Sequence, residues 1–470
     1  MSASTAADPA AHDHDIAASG GAAASRLGQF SWALFEWARN PYVLLITIYI
    51  YAPYFSETLV GDPVRGQAYW GDISALGGAL IAVLAPFLGA IADLGGRRKP
   101  WIFAFTFLMA VATYALWFAV PDGVMMPLIV TAALIVIANV SFDFTAVFHN
   151  AMLPDICAHK RVGGLSGLGL ALGNLAGLII LLFMLWAFAL PGAVDWGFVP
   201  SQPLFGLDQA AHEHVRISGP IAAVWLVVFA LPLFFFTPDR ARSGMPMRAA
   251  MRAGVGRVVK TIADLRHYRN VALYLAARMF YNDGKTAILT FGGIYAAGTF
   301  GWHTIQIGTF GIILAIAGTF GAWLGGKLDD RLGPKRVIAG SLMVLLFAVI
   351  AILLVGRDSI FFIEVAPPQP GGGLFAGASE KAYLILGCMI GAAGGPLQAA
   401  SRTLLIRLAP KERIAQYFGL FALTGKVTSF IGPLLIGIVT AATASQKAGM
   451  AVLVLFFVSG MALLMRVREP

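Results

Sequence analysis

Apolar runs of roughly twenty residues recur along this chain, separated by short polar connections. They cover about 30–55, 69–92, 101–120, 125–148, 165–190, 219–236, 271–297, 304–325, 337–355, 382–404, 417–441 and 447–465. That length crosses the hydrocarbon core of a bilayer as a helix. No open extended backbone does the same, because its N–H and C=O groups find no partners in lipid. The expectation is an all-α integral membrane protein with twelve transmembrane helices. Charge supports it, since Asp, Glu, Lys and Arg make up only 12% of the chain where a soluble domain carries about a quarter. Mean hydropathy is +0.77. Cys157 and Cys388 lie far apart in the sequence and form neither a disulfide framework nor a metal spacing.

One short motif occurs twice. Residues 89–99 read GAIADLGGRRK and residues 326–336 read GKLDDRLGPKR. Gly89, Asp93 and Gly96 lead into Arg97 and Arg98, as Gly326, Asp330 and Gly333 lead into Lys335 and Arg336. The copies lie 237 residues apart in a chain of 470, so the chain reads as two similar halves in tandem. Each copy follows the second apolar run of its half. The divisions are a disordered polar tail over 1–28, a six-helix bundle over 29–237, a basic linker over 238–269, a second bundle over 270–466, and a short tail over 467–470. The first segment lacks the basic start and apolar run of a cleaved signal.

Lysine and arginine counts orient the chain. With both termini inside, 23 of them fall in inside segments and 5 outside. This distribution accounts for the net charge of +9 as topogenic, which removes the case for nucleic acid. The basic stretch from Arg248 to Arg269 reads either as an amphipathic helix on anionic lipid or as a plain charged linker.

In the repeated motif, Asp93 sits where a carboxylate caps or pairs with a neighbouring helix end. The arginines beyond it are placed to reach another helix's carbonyl end. The glycines permit a tight turn and close backbone approach. The pair reads as a conformational latch. At this point the chain resembles the major facilitator superfamily over nearly its whole length. The resemblance implies two six-helix bundles related by a pseudo-two-fold, rocking about a central site.

Ionisable residues inside apolar helices are costly and mark functional candidates. In the first run, Glu36, Arg39 and Asn40 share one face just before Pro41, which kinks or unwinds the helix. Glu36 and Arg39 either pair with each other or contact substrate. In the fourth run, Asp143 follows Asn139 by one turn and is a candidate proton carrier or a partner of Arg39. In the seventh, Arg278, Asn282 and Lys285 share a face, with Asp283 beside them and Gly284 allowing a break. Gln398 and Arg402 in the tenth and Lys426 in the eleventh complete the set. Five bases against three acids suggest a cavity that accepts a carboxylate or phosphate.

WALFEWARNPY, HNAMLPDI, RVGGLSGLGLALGNLAG, FYNDG, QAASRTLLIRLAPKER and YFGLFALTGK resemble one branch of that superfamily. It comprises the fungal vacuolar, autophagy-linked amino-acid effluxers and their bacterial relatives. That branch usually shows Asp-Trp-Ala-Asn where this chain has Glu36-Trp37-Ala38-Arg39, and an aromatic residue where Asn174 stands.

The reading is a secondary transporter of a small organic solute, an amino acid or other carboxylate, coupled to protons. A metal or metal-chelate transporter, drawing on Met125, Met126, Met152, Met279 and Met389, and a lipid translocase are the alternatives. No Walker motif or catalytic triad is present, so neither an ATP-driven pump nor an enzyme is expected. No cofactor is expected, and the partners are a small-molecule substrate, protons and membrane lipids. A monomer in a bacterial inner membrane, both termini cytoplasmic, completes the reading.

Overall fold

The computed structural model describes residues 16–470 except 122, 193–196, 242, 247, 255, 257–267, 303, 367–373, 426, 427, 430 and 470. Helix α1, Arg26–Arg39, is capped by the Ser25 hydroxyl, which accepts from Gly28 N at 3.1 Å. The α-helix is interrupted at Asn40, just before Pro41, and from Val43 to Tyr49 the chain runs on as a π-helix. Proline has no N–H to give the preceding turn, and a wider winding absorbs that loss. The remaining helices are α2 Pro63–Gly95, α3 Lys99–Ala115, α4 Leu128–Ile156, α5 Val162–Met184 and α6 Ser218–Phe236. Then follow α7 Arg269–Phe300, α8 Thr304–Leu332, α9 Pro334–Leu353, α10 Ala378–Leu408, α11 Ile414–Thr424, α12 Ile431–Thr443 and α13 Gln446–Met465. A two-residue hairpin, Ser359–Ile360 with Ile363–Glu364, lies between α9 and α10.

Among the described residues, nine helices are long and apolar enough to cross a bilayer. The expected twelve runs differ from this in three places. The first run changes helix type after Pro41. The seventh is a 32-residue helix that carries Arg278, Asp283 and Lys285. The eleventh, expected as one span over 417–441, is broken after Gly425 into α11 and α12. Large apolar side chains stand out from the bundle, including Phe103, Phe107, Val83, Ile129, Phe320 and Leu455. Water would penalise this surface, whereas lipid solvates it. The chain is a multi-pass integral membrane protein.

Packing partners recur between the two parts of the chain. Helix α1 lies against α5 and α6 while α7 lies against α13 and α11; α4 packs on α2 and α3 as α10 packs on α8 and α9. Two seams cross from one part to the other, α2 on α11 and α5 on α8. Small residues make them close. A Cβ on Gly89 would run into the backbone of Ala415 and Gln416, and one on Gly326 would lie 2.7 Å from Gly163 O.

Residues 16–24, expected as part of the tail, dock on the α4–α5 connection. Ala18 N donates to Cys157 O at 2.9 Å, Ser19 N to Pro154 O at 2.9 Å and Ala24 N to Ile156 O at 2.9 Å. Ala17 is buried there.

Candidate functional site

In the last turn of α1 the apolar face is interrupted by a carboxylate. Glu36 Oε2 is held by Arg39 at 2.9 Å, and Glu36 Oε1 by Arg402 of α10, also at 2.9 Å. All three residues are buried. The first contact joins neighbours on one helix; the second joins the two parts of the chain. Arg39 also donates to Phe142 O at 3.2 Å and lies over the Phe142 ring at 4.4 Å. The pairing of Arg39 with Asp143 considered from sequence is therefore replaced by Glu36 and the Phe142 carbonyl. Asp143 instead interacts with the Tyr42 phenol, whose hydroxyl donates to Asn139 Oδ1 at 2.9 Å.

His149 completes this cluster. Its ring stacks on Trp32 with centroids 4.2 Å apart. Its Nε2 bonds Trp32 O at 2.8 Å, and since a carbonyl only accepts, Nε2 carries the hydrogen. That leaves Nδ1 towards Glu36 Oε1, 3.9 Å away. Trp32 Nε1 donates back to His149 O at 2.8 Å. One acid thus faces two guanidiniums and an imidazole.

A second group adjoins it across α7, α10 and α11. Arg278, Tyr281, Asn282, Lys285, Gln398 and Ser401 line a cavity of about 10 Å³, room for roughly one water. Arg402 lies within charge-interaction range of Arg278 and Lys285. The two α7 cations differ in how they are held. Arg278 donates to Phe421 O at 2.7 Å and Thr424 Oγ1 at 3.1 Å, and lies over the Phe421 ring. It therefore caps the carbonyl end of α11 where that helix breaks. Lys285 Nζ donates to the neutral Gln398 Oε1 at 2.9 Å and has no ion-pair partner among the described residues. Tyr281 and Ser401 hydroxyls meet at 2.7 Å.

Asp283 is buried but lies away from this cavity, on the side of α7 that meets Thr428 and Gly432. Gly284, expected to permit a break, sits within the unbroken α7. Its bare Cα admits Phe456 and Phe457 of α13 instead, at 3.1 and 3.0 Å from a built Cβ. Asn40 lies beside Gly173 of α5, and Asn174 beside Gly318 of α8. Lys426 falls outside the described residues.

The repeated motif builds a pair of clasps at one end of the bundle. The Asp93 carboxylate accepts from Ala415 N at 3.1 Å and Gln416 N at 2.9 Å, the first turn of α11. Asp330 accepts from Gly164 N at 2.9 Å, the first turn of α5. Each acid thus caps a helix in the other part of the chain. Gly96 and Gly333 turn the chain after them with φ of 82° and 87°, a region costly for a residue with a Cβ. Arg98 is buried and pairs with Asp93 and, more closely, with Asp155, which Arg240 also holds at 2.8 Å. The arginines were expected at helix carbonyl ends, but lysines occupy those places. Lys99 Nζ donates to Phe234 O at 2.9 Å, and Lys335 Nζ to Val467 O at 2.6 Å. Arg97 and Arg336 are exposed. Asp155, His149 and Tyr281 were missed as partners, although HNAMLPDI and FYNDG contain all three.

The family described as vacuole effluxer Atg22 like matches residues 59–470. The MFS-type transporter YxiO of Bacillus subtilis (strain 168) is 25% identical over 449 residues, covering 93% of this chain and 94% of YxiO. Autophagy-related protein 22 of Yarrowia lipolytica is 23% identical over 324 residues, covering 64% of this chain and half of the fungal protein. Among solved structures, the major facilitator superfamily transporter FucP in its outward conformation superposes with a TM-score of 0.68 at 14% identity, covering 94% of this chain and 99% of FucP. The human organic anion transporter MFSD10 gives 0.66 at 14% identity, covering 93% and 99%. These likenesses establish the fold.

Proposed function

The chain belongs to the Atg22-like vacuole effluxer family of major facilitator transporters, and on that premise we propose that it moves a small carboxylate-bearing solute, such as an amino acid, by proton-coupled alternating access. Twelve crossings follow if α1 with its π-helical continuation, α7, and α11 with α12 each span, giving bundles over 29–237 and 270–466. The lysine and arginine count supports a cytoplasmic side for the clasps and both termini, and the reading sets the chain in a bacterial inner membrane. The aligned fungal region is half of that protein's length, so its cargo is carried over only as part of this reading.

The observation that carries the reading is the charge of the central cluster. Lys285 is a cation satisfied by a neutral amide, and Arg402 shares its one carboxylate with Arg39. An incoming carboxylate finds an unpaired ammonium at Lys285 and a guanidinium at Arg402 that it can take from Glu36. Exchanging Glu36 for substrate on Arg402 transfers a bridge between the halves to the solute. Binding and rocking are thereby coupled, since the solute's contacts differ between the two states. Asp143 and Asp283 are the acids assigned to proton carriage.

Reconstituted liposomes test this. Uptake of a panel of amino and organic acids should follow an imposed proton gradient, fall when Asp143→Asn or Asp283→Asn is made, and weaken with Lys285→Gln. Losing a charged partner for a carboxylate costs about 2–5 kcal/mol, so KM should rise at least about thirtyfold. Transport of carboxylates with unchanged KM in Lys285→Gln refutes the site. Uptake indifferent to the gradient refutes the coupling.

A further inference from the structure

The two clasps are not equivalent in charge. In the first, buried Arg98 sits beside Asp93 and brings Asp155 with it. In the second, the residue beside the capping acid is another acid. Asp329 is fully buried, and neither of its carboxyl oxygens has a hydrogen-bond partner among the described residues. It lies in the α5–α8 seam, where a Cβ on Gly163 would come within 2.6 Å of its carboxyl carbon. A carboxylate stripped of water and of donors is among the most unfavourable groups a protein can bury, and it ordinarily takes up a proton instead.

Among the described residues no cation forms an ion pair with Asp329, and Arg407 acts on it only through space. On its own helix, Asp330 gives its carboxylate to Gly164 N and adds a like charge. From α10, Thr403 and Arg407 both act on Asp329, but the Thr403 hydroxyl donates to Ala399 O at 3.3 Å and Arg407 is held by Glu469 of the C-terminal segment at 2.9 Å. Glu469 itself adds a second like charge. On the α5 side, Arg161 is exposed and acts on Asp330, and Cys157 is a buried thiol.

We propose that Asp329 is a proton-binding site of the inner seam, protonated while α5 and α8 are joined and ionised when they part. On joining, the carboxylate takes one proton from cytoplasmic water; on parting, the O–H bond breaks and that proton returns to water. The joined seam therefore binds one more proton than the parted one, and low pH favours joining. This deepens the transport reading by giving the cytoplasmic gate its own proton, distinct from any bound at the central cluster. It rests on the reading of the clasps as that gate and requires no knowledge of the cargo.

The test uses the full-length protein with Cys157→Ser and Cys388→Ser and spin labels at exposed positions 97 and 336, one on each clasp. Distances between labels are measured from pH 5 to 9 without substrate. The parted-to-joined ratio should rise with pH by up to about tenfold per unit. In Asp329→Asn, and in Asp329→Ala, that dependence should vanish. Asp330→Asn should raise the parted fraction at every pH and leave the slope in place. A ratio with the same pH slope in the parent and both Asp329 variants, including no slope in any, overturns the proposal. A failed carboxylate-uptake assay with the slope intact would overturn the cargo reading alone.

Discussion

Asp93→Asn isolates the first clasp. The substitution keeps the shape of the side chain and one accepting oxygen, but removes the charge that two backbone donors share at 3.1 and 2.9 Å. A hydrogen bond to a charged group is worth about 1.5–3 kcal/mol, and roughly one such bond is lost. The side-chain amide nitrogen of Asn also turns a donor towards a backbone donor, so no new contact offsets the loss. Arg98 loses a carboxylate at 3.4 Å but retains Asp155, which keeps the buried guanidinium compensated and the fold intact. The joined state should therefore weaken against the parted state by about 10- to 150-fold, taking 1.4 kcal/mol as tenfold. Spin labels at 97 and 336 read the shift directly as a second, longer distance. Binding of solute at the central cluster should change little, while turnover should fall. An unchanged distance distribution, or loss of binding with turnover intact, would show that the α2–α11 contact is mere packing.

Other perturbations separate neighbouring roles. Glu36→Gln leaves two buried guanidiniums without their shared acid, and breaking a buried pair from one side costs about 3–5 kcal/mol, so thermal unfolding in detergent should begin several degrees lower; an unaltered melting temperature would mean that water reaches the cluster. Gly326→Val places a branched side chain against Gly163 O and should part the second clasp alone, read as an increased distance with helix content by circular dichroism unchanged. Burial lifts the Cys157 thiol to about 12, whereas Cys388 is half-exposed, so at pH 7.5 a maleimide should modify Cys388 well before Cys157; mass spectrometry of the labelled peptides decides it.

What the sequence disclosed depended on whether partners share a local spacing. Glu36 and Arg39 sit three apart on one helix turn, so their pairing was readable. Arg402 belongs to a distant helix, and no spacing announces that it meets the same carboxylate. The motif acids were plain as a repeat, yet their acceptor partners are backbone amides, Gln416 N lying 323 residues from Asp93, and an amide leaves no mark in the letters. Glycine misled in one place. At Gly284 and at Gly89 it has the same symbol and the same effect, close approach of another helix, but only the second was read that way. Lysine and arginine were interchanged at the helix ends because both are donors of like charge; a helix terminus takes the compact, flexible ammonium as readily as the planar fork. Asp329 went unnoticed beside Asp330, since an Asp-Asp pair at a helix end is ordinarily solvated.

The clasps join a side chain on one element to the main chain of another. Every residue except proline supplies the same N–H, so the first turn of α11 can change its side chains and still be held, whereas Gly163 and Gly164 in the first turn of α5 have no room for a Cβ. Only the acids and the glycines beneath them are constrained. The central cluster, by contrast, matches side chain to side chain, and altering one member demands a change in the other. The two sites can therefore be altered separately: a change at the cluster needs a matching change in its partner side chain, and a change opposite Asp93 does not.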